Sequence, residues 1–417
     1  MTAKFPQLTD VPSSQSISLK EAYSMSRSRF LVIGAICCAL AVGTKAAHAE
    51  DAKPADAKPT APSLSDVLAA SGIAITGWID TSYEYLNGEG VFATDGLPPN
   101  RVFDDHKNAF SLHQAAINIA YQPKEGFGAV VNVIAGQDVQ VFAPYDINQG
   151  NAKIDVPNAY IQYASGPITV IGGRFVTLAG AETIDPRTMT NFSRSILFGY
   201  AIPFAHTGLR MTYAPSDTLS LILGVNNGWD VLKETNSQKT VEVGAAWVPS
   251  KAFSLNLSGY FGDERVIGNT GDYGPNGLRS VVDVVATWNA TDALSLVLNY
   301  DWGQQKANGY SETASWQGIA GYVNYQFNEQ WRTSLRAEYF DDKDGYRTGI
   351  VQKWKEATLT FGYAPVKAVE LRVEGRYDKS DKQAFVKSFA TCGEDSYCSS
   401  DISDNQASFG VEAVFKF

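Results

Sequence analysis

Four arginines near the end of the chain stand in two pairs, each with a spacing of four residues. Arg332 and Arg336 form one pair, and Arg372 and Arg376 form the other. Residues four apart on a β-strand point to the same face, so all four guanidinium groups are expected on one side of a sheet. Such a basic wall facing water would attract and orient anions. The alternative is an internal salt-bridge network that stiffens the wall, with three acidic partners in the same segments: Glu338, Glu370 and Glu374.

The same alternation places most other charged residues on one face of their segments. The candidate pore-lining residues are Arg174, Arg210, Arg279, Asp283, Arg332, Arg336, Arg372, Glu374 and Arg376. The opposite face carries almost no charge in the middle of these segments. A Lys or Arg that faces lipid at mid-bilayer costs about 2–4 kcal/mol. The asymmetry therefore predicts a sheet with lipid on one face and water on the other.

One long segment between these alternating stretches, residues 177–205, carries both charges and a greasy run. Its charged residues are Glu182, Asp185, Arg187 and Arg194. This segment is too apolar to extend into water, because it contains Ile196, Leu197, Phe198 and Ile202. We expect it to fold into the lumen as a constriction, with its acidic side chains opposite the basic wall. The alternative is an extracellular cap over the pore.

Catalytic chemistry has little support in the sequence. The histidines beyond the N-terminal segment are His106, His113 and His206, and no Ser or Cys has a base partner by spacing. His113 has the lipid-facing parity, and we interpret it as an interfacial imidazole near a strand end. No transition-metal spacing or phosphate-binding loop is present. We expect no enzyme activity, no cofactor and no metal.

These charged residues must be carried by β-strands, and the strand pattern is clearest in the last eleven residues, 407–417. Phe409, Val411, Phe415 and Phe417 alternate with more polar positions, which is typical of a strand with one apolar face. About nine to eleven residues let a tilted strand cross a bilayer. Phe417 is expected to act as an assembly signal, because this strand must close onto the first one near Ile73–Tyr85.

Sixteen such segments follow one another along the chain. They start near residues 73, 110, 127, 154, 167, 206, 217, 239, 252, 278, 292, 315, 329, 352, 368 and 407. Short Pro-, Gly-, Asn- or Ser-containing links alternate with long ones. This rhythm predicts an all-β fold, a sixteen-stranded transmembrane antiparallel barrel with short periplasmic turns and long extracellular loops. A secreted β-sandwich or β-helix, the alternative, would explain the alternation of residues but not that of the links.

The N-terminal region predicts export. Arg27 and Arg29 precede a short apolar run, and Ala47-His48-Ala49 resembles a cleavage site, so residues 1–49 are expected to be a signal peptide, with Met25 as an alternative start. An inner-membrane anchor is the other interpretation. Residues 50–72 are expected to form a flexible periplasmic leader with a short helical turn, and residues 73–417 the barrel.

Charge and cysteine usage fit this location. The expected signal peptide contains five Lys/Arg and two Asp/Glu, so the remainder has 29 basic and 42 acidic residues, which argues against a nucleic-acid partner. Cys392 and Cys398 remain after cleavage, and two cysteines in an exported chain predict a disulfide, here in the last long loop.

Two segments resemble a known family. Residues 71–83, Ser-Gly-Ile-Ala-Ile-Thr-Gly-Trp-Ile-Asp-Thr-Ser-Tyr, resemble the first strand of the OmpL-like β-barrel porins of Gram-negative bacteria. Residues 191–198 and 203–208 are similar to the central segment of that family. The resemblance extends over most of residues 64–417 and implies an outer-membrane channel without naming a solute.

The expected function is therefore passive diffusion of small hydrophilic solutes and ions through a water-filled lumen. The alternative is a structural or adhesion barrel with a lumen closed by its loops. The expected partners are outer-membrane lipid and the permeating solutes, and a homotrimer is the assembly expected of general porins of this size.

Overall fold

The computed structural model describes residues 64–90, 100–105, 107–144, 152–267, 273–306, 313–391 and 397–417. The chain divides into two units, Met1–Asp66 and Val67–Phe417. Helix α1, Leu64–Ser71, begins the described part. The expected signal peptide and most of the expected leader lie outside the described residues. None of the helices in the described ranges is long and apolar enough to cross a membrane.

Sixteen antiparallel strands form one closed barrel. They are β1 Ile73–Leu86, β2 Ala109–Tyr121, β3 Gly126–Ala135, β4 Ile154–Ser165, β5 Ile168–Val176, β6 Ala205–Ser216, β7 Leu219–Asn226, β8 Thr240–Ser250, β9 Phe253–Ile267, β10 Tyr273–Asn289, β11 Leu294–Lys306, β12 Thr313–Gln326, β13 Trp331–Asp342, β14 Gln352–Val366, β15 Val369–Ser380 and β18 Asn405–Lys416. Each of the sixteen segments predicted from alternation coincides with one barrel strand, so the predicted fold class is confirmed.

The barrel closes between its first and last strands. β18 pairs with β1 on one side, with Trp78 opposite Lys416, and with β15 on the other. The Gly77 N–H donates to the Phe417 carbonyl at 2.9 Å, and the Phe417 N–H returns a bond to the Gly77 carbonyl at 3.1 Å. Closure of the C-terminal strand onto the first strand is thus as predicted. The role of Phe417 as an assembly signal stays a prediction.

The strands alternate in burial as they do in polarity. In β1, Asp80 and Glu84 are almost fully buried inside the barrel, whereas Ile79 and Tyr85 are 45% and 47% exposed on its outer face. The outer residues are apolar because they meet lipid chains, and the inner ones are polar because they meet water, loops or one another. Short turns join the strands at one end of the barrel, and long loops join them at the other. We name these ends the short-turn end and the long-loop end.

A bulge in β2 interrupts this alternation and corrects the prediction for His113. β1 and β2 pair regularly up to Asp80 opposite Gln114, but the next residue, Thr81, faces Leu112. His113 is the extra residue, and it turns inward beside Gln114; both are fully or almost fully buried. The predicted lipid-facing, interfacial position of His113 is therefore wrong. An extra residue in one strand reverses the parity beyond it.

Two further strands are not part of the barrel sheet. β16, Phe385–Thr391, and β17, Tyr397–Ser403, form a separate two-stranded sheet between β15 and β18. The sequence interpretation treated this whole region as a loop. The expected disulfide depends on Cys392 and on the side chain of Cys398, and it lies outside what the structure describes.

Candidate functional site

The segment between β5 and β6, residues 177–204, lies against the inner face of the barrel, and we call it the inner loop. The Asn299 carboxamide oxygen accepts from the Ala181 N–H at 3.1 Å, and the Trp316 indole donates to the Ala201 carbonyl at 3.1 Å. The apolar stretch Ile196–Ile202, noted in the sequence, is largely buried among aromatic side chains of the lumen. Burial of this surface fixes the inner loop inside the barrel.

Wall carboxylates hold the backbone of the inner loop. Glu374 accepts the N–H groups of Phe192 at 2.7 Å and Ser193 at 2.9 Å. Glu338 accepts those of Ile196 at 2.9 Å and Leu197 at 3.1 Å. A carboxylate satisfies two successive buried N–H groups with strong, charge-assisted bonds. These two clamps fix the middle of the inner loop.

Arg336 occupies the centre of the charged network. Its guanidinium group lies 2.7 Å from Glu182 of the inner loop, 2.7 Å from Glu356 and 3.3 Å from Glu338, and its side chain is fully buried. It also donates to the Ser193 carbonyl at 2.7 Å. Arginine is suited to this position because its planar fork supplies five donors.

The other three predicted wall arginines are paired in the same way. Arg372 lies 2.9 Å from Glu412 and donates to the Pro186 carbonyl of the inner loop at 2.9 Å. Arg376 pairs with Asp378 and donates to the Arg194 carbonyl at 2.7 Å. Arg332 donates to Glu370 at 2.8 Å and to the Thr190 carbonyl at 2.6 Å.

The expected arrangement of acidic loop residues opposite a basic wall therefore needs correction. Glu182 is in direct contact with Arg336 on the wall. Asp185 pairs with Arg187 of its own loop at 2.7 Å, and the Arg187 guanidinium covers the Trp78 ring at 4.2 Å. Arg194 donates to the carbonyls of residues within the inner loop. The opposite charges of Glu182 and Arg336, and of Asp185 and Arg187, offset each other locally, which corresponds to the salt-bridge alternative.

The remaining predicted pore-lining residues also face inward and have local partners. Arg174 pairs with Asp155 at 2.6 Å, and Arg210 with Glu242 at 2.7 Å. The other inward contacts are Arg279 to the Gln305 amide oxygen at 2.6 Å, and Asp283 accepting from the Asn299 amide at 2.7 Å while it stands opposite Asp301.

A second inner segment, residues 100–104, was missed by the sequence interpretation. Arg101 is fully buried and lies 3.1 Å from both Asp104 and Asp378. Burial raises the pKa of Asp104 to about 6, although Arg101 opposes the shift. The adjacent apolar pair Val102 and Phe103, also buried, was the available signal that this loop enters the lumen.

The bulge brings His113 into a buried polar cluster. Its Nε2 lies 2.8 Å from the Ser82 hydroxyl and 2.9 Å from Glu84, and its Nδ1 lies 2.7 Å from Asp138. Ser82 itself donates to Glu84 at 2.7 Å. The residue types resemble a Ser–His–Asp triad, but a carboxylate at each ring nitrogen makes both nitrogens donors. A ring that donates at both positions cannot accept the serine proton as a base.

A polar but uncharged surface lies on another part of the wall, on β2, β3 and β4. Asn118 of β2, Asn132 of β3 and Asn158 of β4 stand directly opposite one another in successive strand pairs. They border a chamber of about 350 Å³, whose other wall includes Thr183 and Thr188 of the inner loop. The sequence interpretation did not identify these residues, because it searched the inner face for charges.

The closed sixteen-stranded barrel, apolar outside and polar inside, defines the class of outer-membrane β-barrel proteins. Residues 72–417 match the family described as "Putative beta-barrel porin-2, OmpL-like", and the chain belongs to this family. The expected family and the outer-membrane location are thereby confirmed. No curated protein sequence matches the chain.

Solved structures with the same fold include three outer-membrane proteins. An anion-selective porin from Comamonas acidovorans is similar with a TM-score of 0.57 and 11% identity, over 83% of this chain and 99% of that chain. In-vitro folded OmpT of Vibrio cholerae, in a trimer form, has a TM-score of 0.55 and 10% identity, over 83% and 99%. The channel DcaP of Acinetobacter baumannii has a TM-score of 0.52 and 14% identity, over 83% and 97%. At these identities the likeness shows the fold alone.

Proposed function

We propose that the barrel is a porin, through which small hydrophilic solutes and ions diffuse passively. The observation that carries this proposal is the segregation of side chains around sixteen strands, with an apolar outer face and a polar inner face. A barrel of this strand number encloses an aqueous lumen, whereas about eight strands are filled by their own side chains. The inner loop would act as the constriction, because its residues Glu182, Asp185, Arg187 and Arg194 lie within that lumen.

Planar-bilayer recording of the purified, folded protein tests the proposal. We expect stepwise current increases as single barrels insert. The control for folding is the heat-dependent change in gel mobility of a β-barrel, measured on the same sample. A folded barrel that inserts without any current would overturn the porin proposal.

A structural or adhesion barrel is the second candidate, and one observation favours it. The inner loop and residues 100–104 both occupy the lumen and are largely buried there. If these segments close the lumen completely, the barrel remains silent in the same recording. A current in the intact protein therefore excludes this candidate.

We also propose a homotrimer, supported by the trimer form of the similar OmpT structure. The mass of the detergent-corrected complex, from light scattering coupled to size-exclusion chromatography, measures it directly. A mass equal to one chain would contradict the proposal.

A further inference from the structure

The three asparagines Asn118, Asn132 and Asn158 form one row across the inner face of β2, β3 and β4. Asn118 is opposite Asn132, and Asn132 is opposite Asn158. Thr76 of β1 continues the row, because it is opposite Asn118. Directly opposed residues in neighbouring strands lie about 4.5–5.5 Å apart, so the row is a continuous strip of hydrogen-bonding groups. We call it the amide row.

Much of the hydrogen-bonding capacity of the amide row remains unused within the described residues. The Asn132 amide donates to the Ile117 carbonyl at 3.2 Å, and the Asn158 oxygen accepts from the Val176 N–H at 3.2 Å. These contacts leave the Asn132 oxygen and the Asn158 amide group without a partner in that part of the chain. The Asn118 side chain makes no hydrogen bond there. Each carboxamide offers two donors and one acceptor oxygen, so the row presents both kinds of group.

The chamber beside the amide row is large enough for a small solute. Its volume of about 350 Å³ lies within the range of roughly 300–1,000 Å³ that small-molecule sites occupy. Trp78, Phe198 and Phe204 contribute apolar surface, and Thr177, Thr183 and Thr188 contribute hydroxyl groups. A solute with many hydroxyl groups and an apolar ring face meets matching surfaces on both sides.

Each charge at the edge of the chamber already lies beside a partner of opposite sign. Glu182 is paired with Arg336 at 2.7 Å, and Asp185 with Arg187 at 2.7 Å. A charged solute that entered would lose water without gaining an unpaired opposite charge, and that loss is costly. A neutral solute exchanges its hydrogen bonds with water for hydrogen bonds with the amide row at little net cost.

We propose that this chamber is a subsite for neutral polyhydroxylated solutes of about one sugar ring, and that Asn118, Asn132 and Asn158 determine this preference. The inference rests on the proposed porin function and names the class of solute it favours. The amide row selects by hydrogen bonding. It therefore discriminates between a hexose and its charged analogues, which have the same size.

Block of the ion current in planar bilayers tests the subsite. The probes are glucose, which is neutral, glucuronate, which is anionic, and glucosamine, which is cationic. We expect glucose to block the wild-type channel at the lowest concentration. The variant N118L/N132L/N158L should raise the half-blocking concentration of glucose about tenfold, since three weak hydrogen-bonding groups are lost. Its unblocked conductance should change by less than about twofold, because no charge is removed.

Two further variants serve as controls for position and for folding. Asn256→Leu removes an asparagine from the inner face of β9, outside the chamber, and should leave the glucose block unchanged. Asn118→Asp keeps the shape of the side chain, so it guards against a triple variant that fails to fold. It should weaken the block by glucuronate and strengthen the block by glucosamine.

The outcomes separate the subsite from the channel. Equal block by the three probes in a conducting wild-type protein, or an unchanged glucose block in the folded triple variant, overturns the subsite while the porin function stands. A tenfold loss shared by Asn256→Leu overturns it as well. A silent wild-type barrel overturns the porin function and the subsite together.

Discussion

Two sectors of the barrel wall use opposite kinds of polar residue. The inner face of β13–β15 carries ten charged side chains: Arg332, Arg336, Glu338, Asp342, Glu356, Glu370, Arg372, Glu374, Arg376 and Asp378. We call it the charged sector. The inner face of β2–β4 beside the chamber carries Asn118, Asn132 and Asn158, and we call it the amide sector. The inner loop is bonded closely to the charged sector, whereas the chamber separates it from the amide sector.

The difference follows from the cost of removing each group from water. A charge is costly to bury alone, so the charged sector is stable only with acids, bases and loop backbone groups bonded to one another. Breaking one such contact leaves the others unpaired, and this holds the inner loop against the wall. Removing a neutral amide from water costs less free energy than removing a charge, and an amide that faces a wet chamber keeps part of its hydration. The amide sector therefore keeps its groups available for a passing solute.

The largest expected effect comes from removing the central arginine of the charged sector. Arg336→Leu leaves Glu182, Glu338 and Glu356 without their shared cation inside the lumen. Loss of one partner of a buried ion pair destabilises by about 3–5 kcal/mol. We expect urea unfolding of the refolded protein, followed by tryptophan fluorescence, to occur at a clearly lower concentration.

The matched substitution in the amide sector is Asn132→Leu, which also places a leucine on the inner wall. It should shift the urea midpoint much less, because one side-chain hydrogen bond to the Ile117 carbonyl is lost and no charge is left unpaired. Equal shifts in the two variants would remove the energetic distinction between the sectors.

A smaller effect is expected from Asp104 in the second inner segment. Burial raises the pKa of Asp104 to about 6, so the inserted segment binds a proton that the segment in water releases near the ordinary Asp pKa of about 3.9. The inserted state is thus favoured at low pH, and it weakens as the pH rises from about 4 to about 6. Between about pH 5 and pH 8 the loss is on the order of 1 kcal/mol.

The substitution Asp104→Asn should remove this pH dependence. Protection of residues 100–105 from added protease should be stronger at about pH 5 than at about pH 8 in the wild-type protein, and similar at both in the variant. Asp105→Asn, at the neighbouring position, serves as the control. Stronger protection at the higher pH in the wild-type protein would reverse the sign and contradict the burial argument.

The smallest expected effect concerns the ion pair of Asp185 and Arg187 at the edge of the chamber. Arg187→Gln leaves the Asp185 carboxylate uncompensated, and Asp185→Asn leaves the Arg187 guanidinium uncompensated. The reversal potential under a salt gradient should move toward cation preference in the first variant and toward anion preference in the second. The shifts should fade above roughly 1 M salt, where the screening length is about 3 Å.

The reversal potential of these two loop variants also tests whether the loop charges, and not the wall charges, set ion preference. Arg332, Arg336, Arg372 and Arg376 were expected to set ion preference directly, but their acidic partners lie on the same wall. If the reversal potential is unchanged in both loop variants, while the barrel folds and conducts, charge does not control permeation at the chamber edge.

The strand pattern and the closure of the barrel were readable from the sequence because they depend on local periodicity. Every other residue must meet lipid, so the outer face shows as an apolar alternation in each strand. The apolar run Ile196–Ile202 likewise indicated that the longest loop enters the lumen. These properties belong to single segments, and no knowledge of their neighbours is needed to recognise them.

The partners of the inner residues depended on the tertiary structure. The bulge at His113 in β2, opposite Asp80 and Thr81, changed the side on which His113 lies, and a shift of one residue between strands has no signal in composition. Glu182 reaches Arg336 across 154 positions of sequence. Asn118, Asn132 and Asn158 form a row only because the registers of three strands agree. The sequence alone determined which face of each strand is polar, whereas the strand registers and loop path determined which polar groups meet, because contacts between distant segments exist only after the barrel has closed.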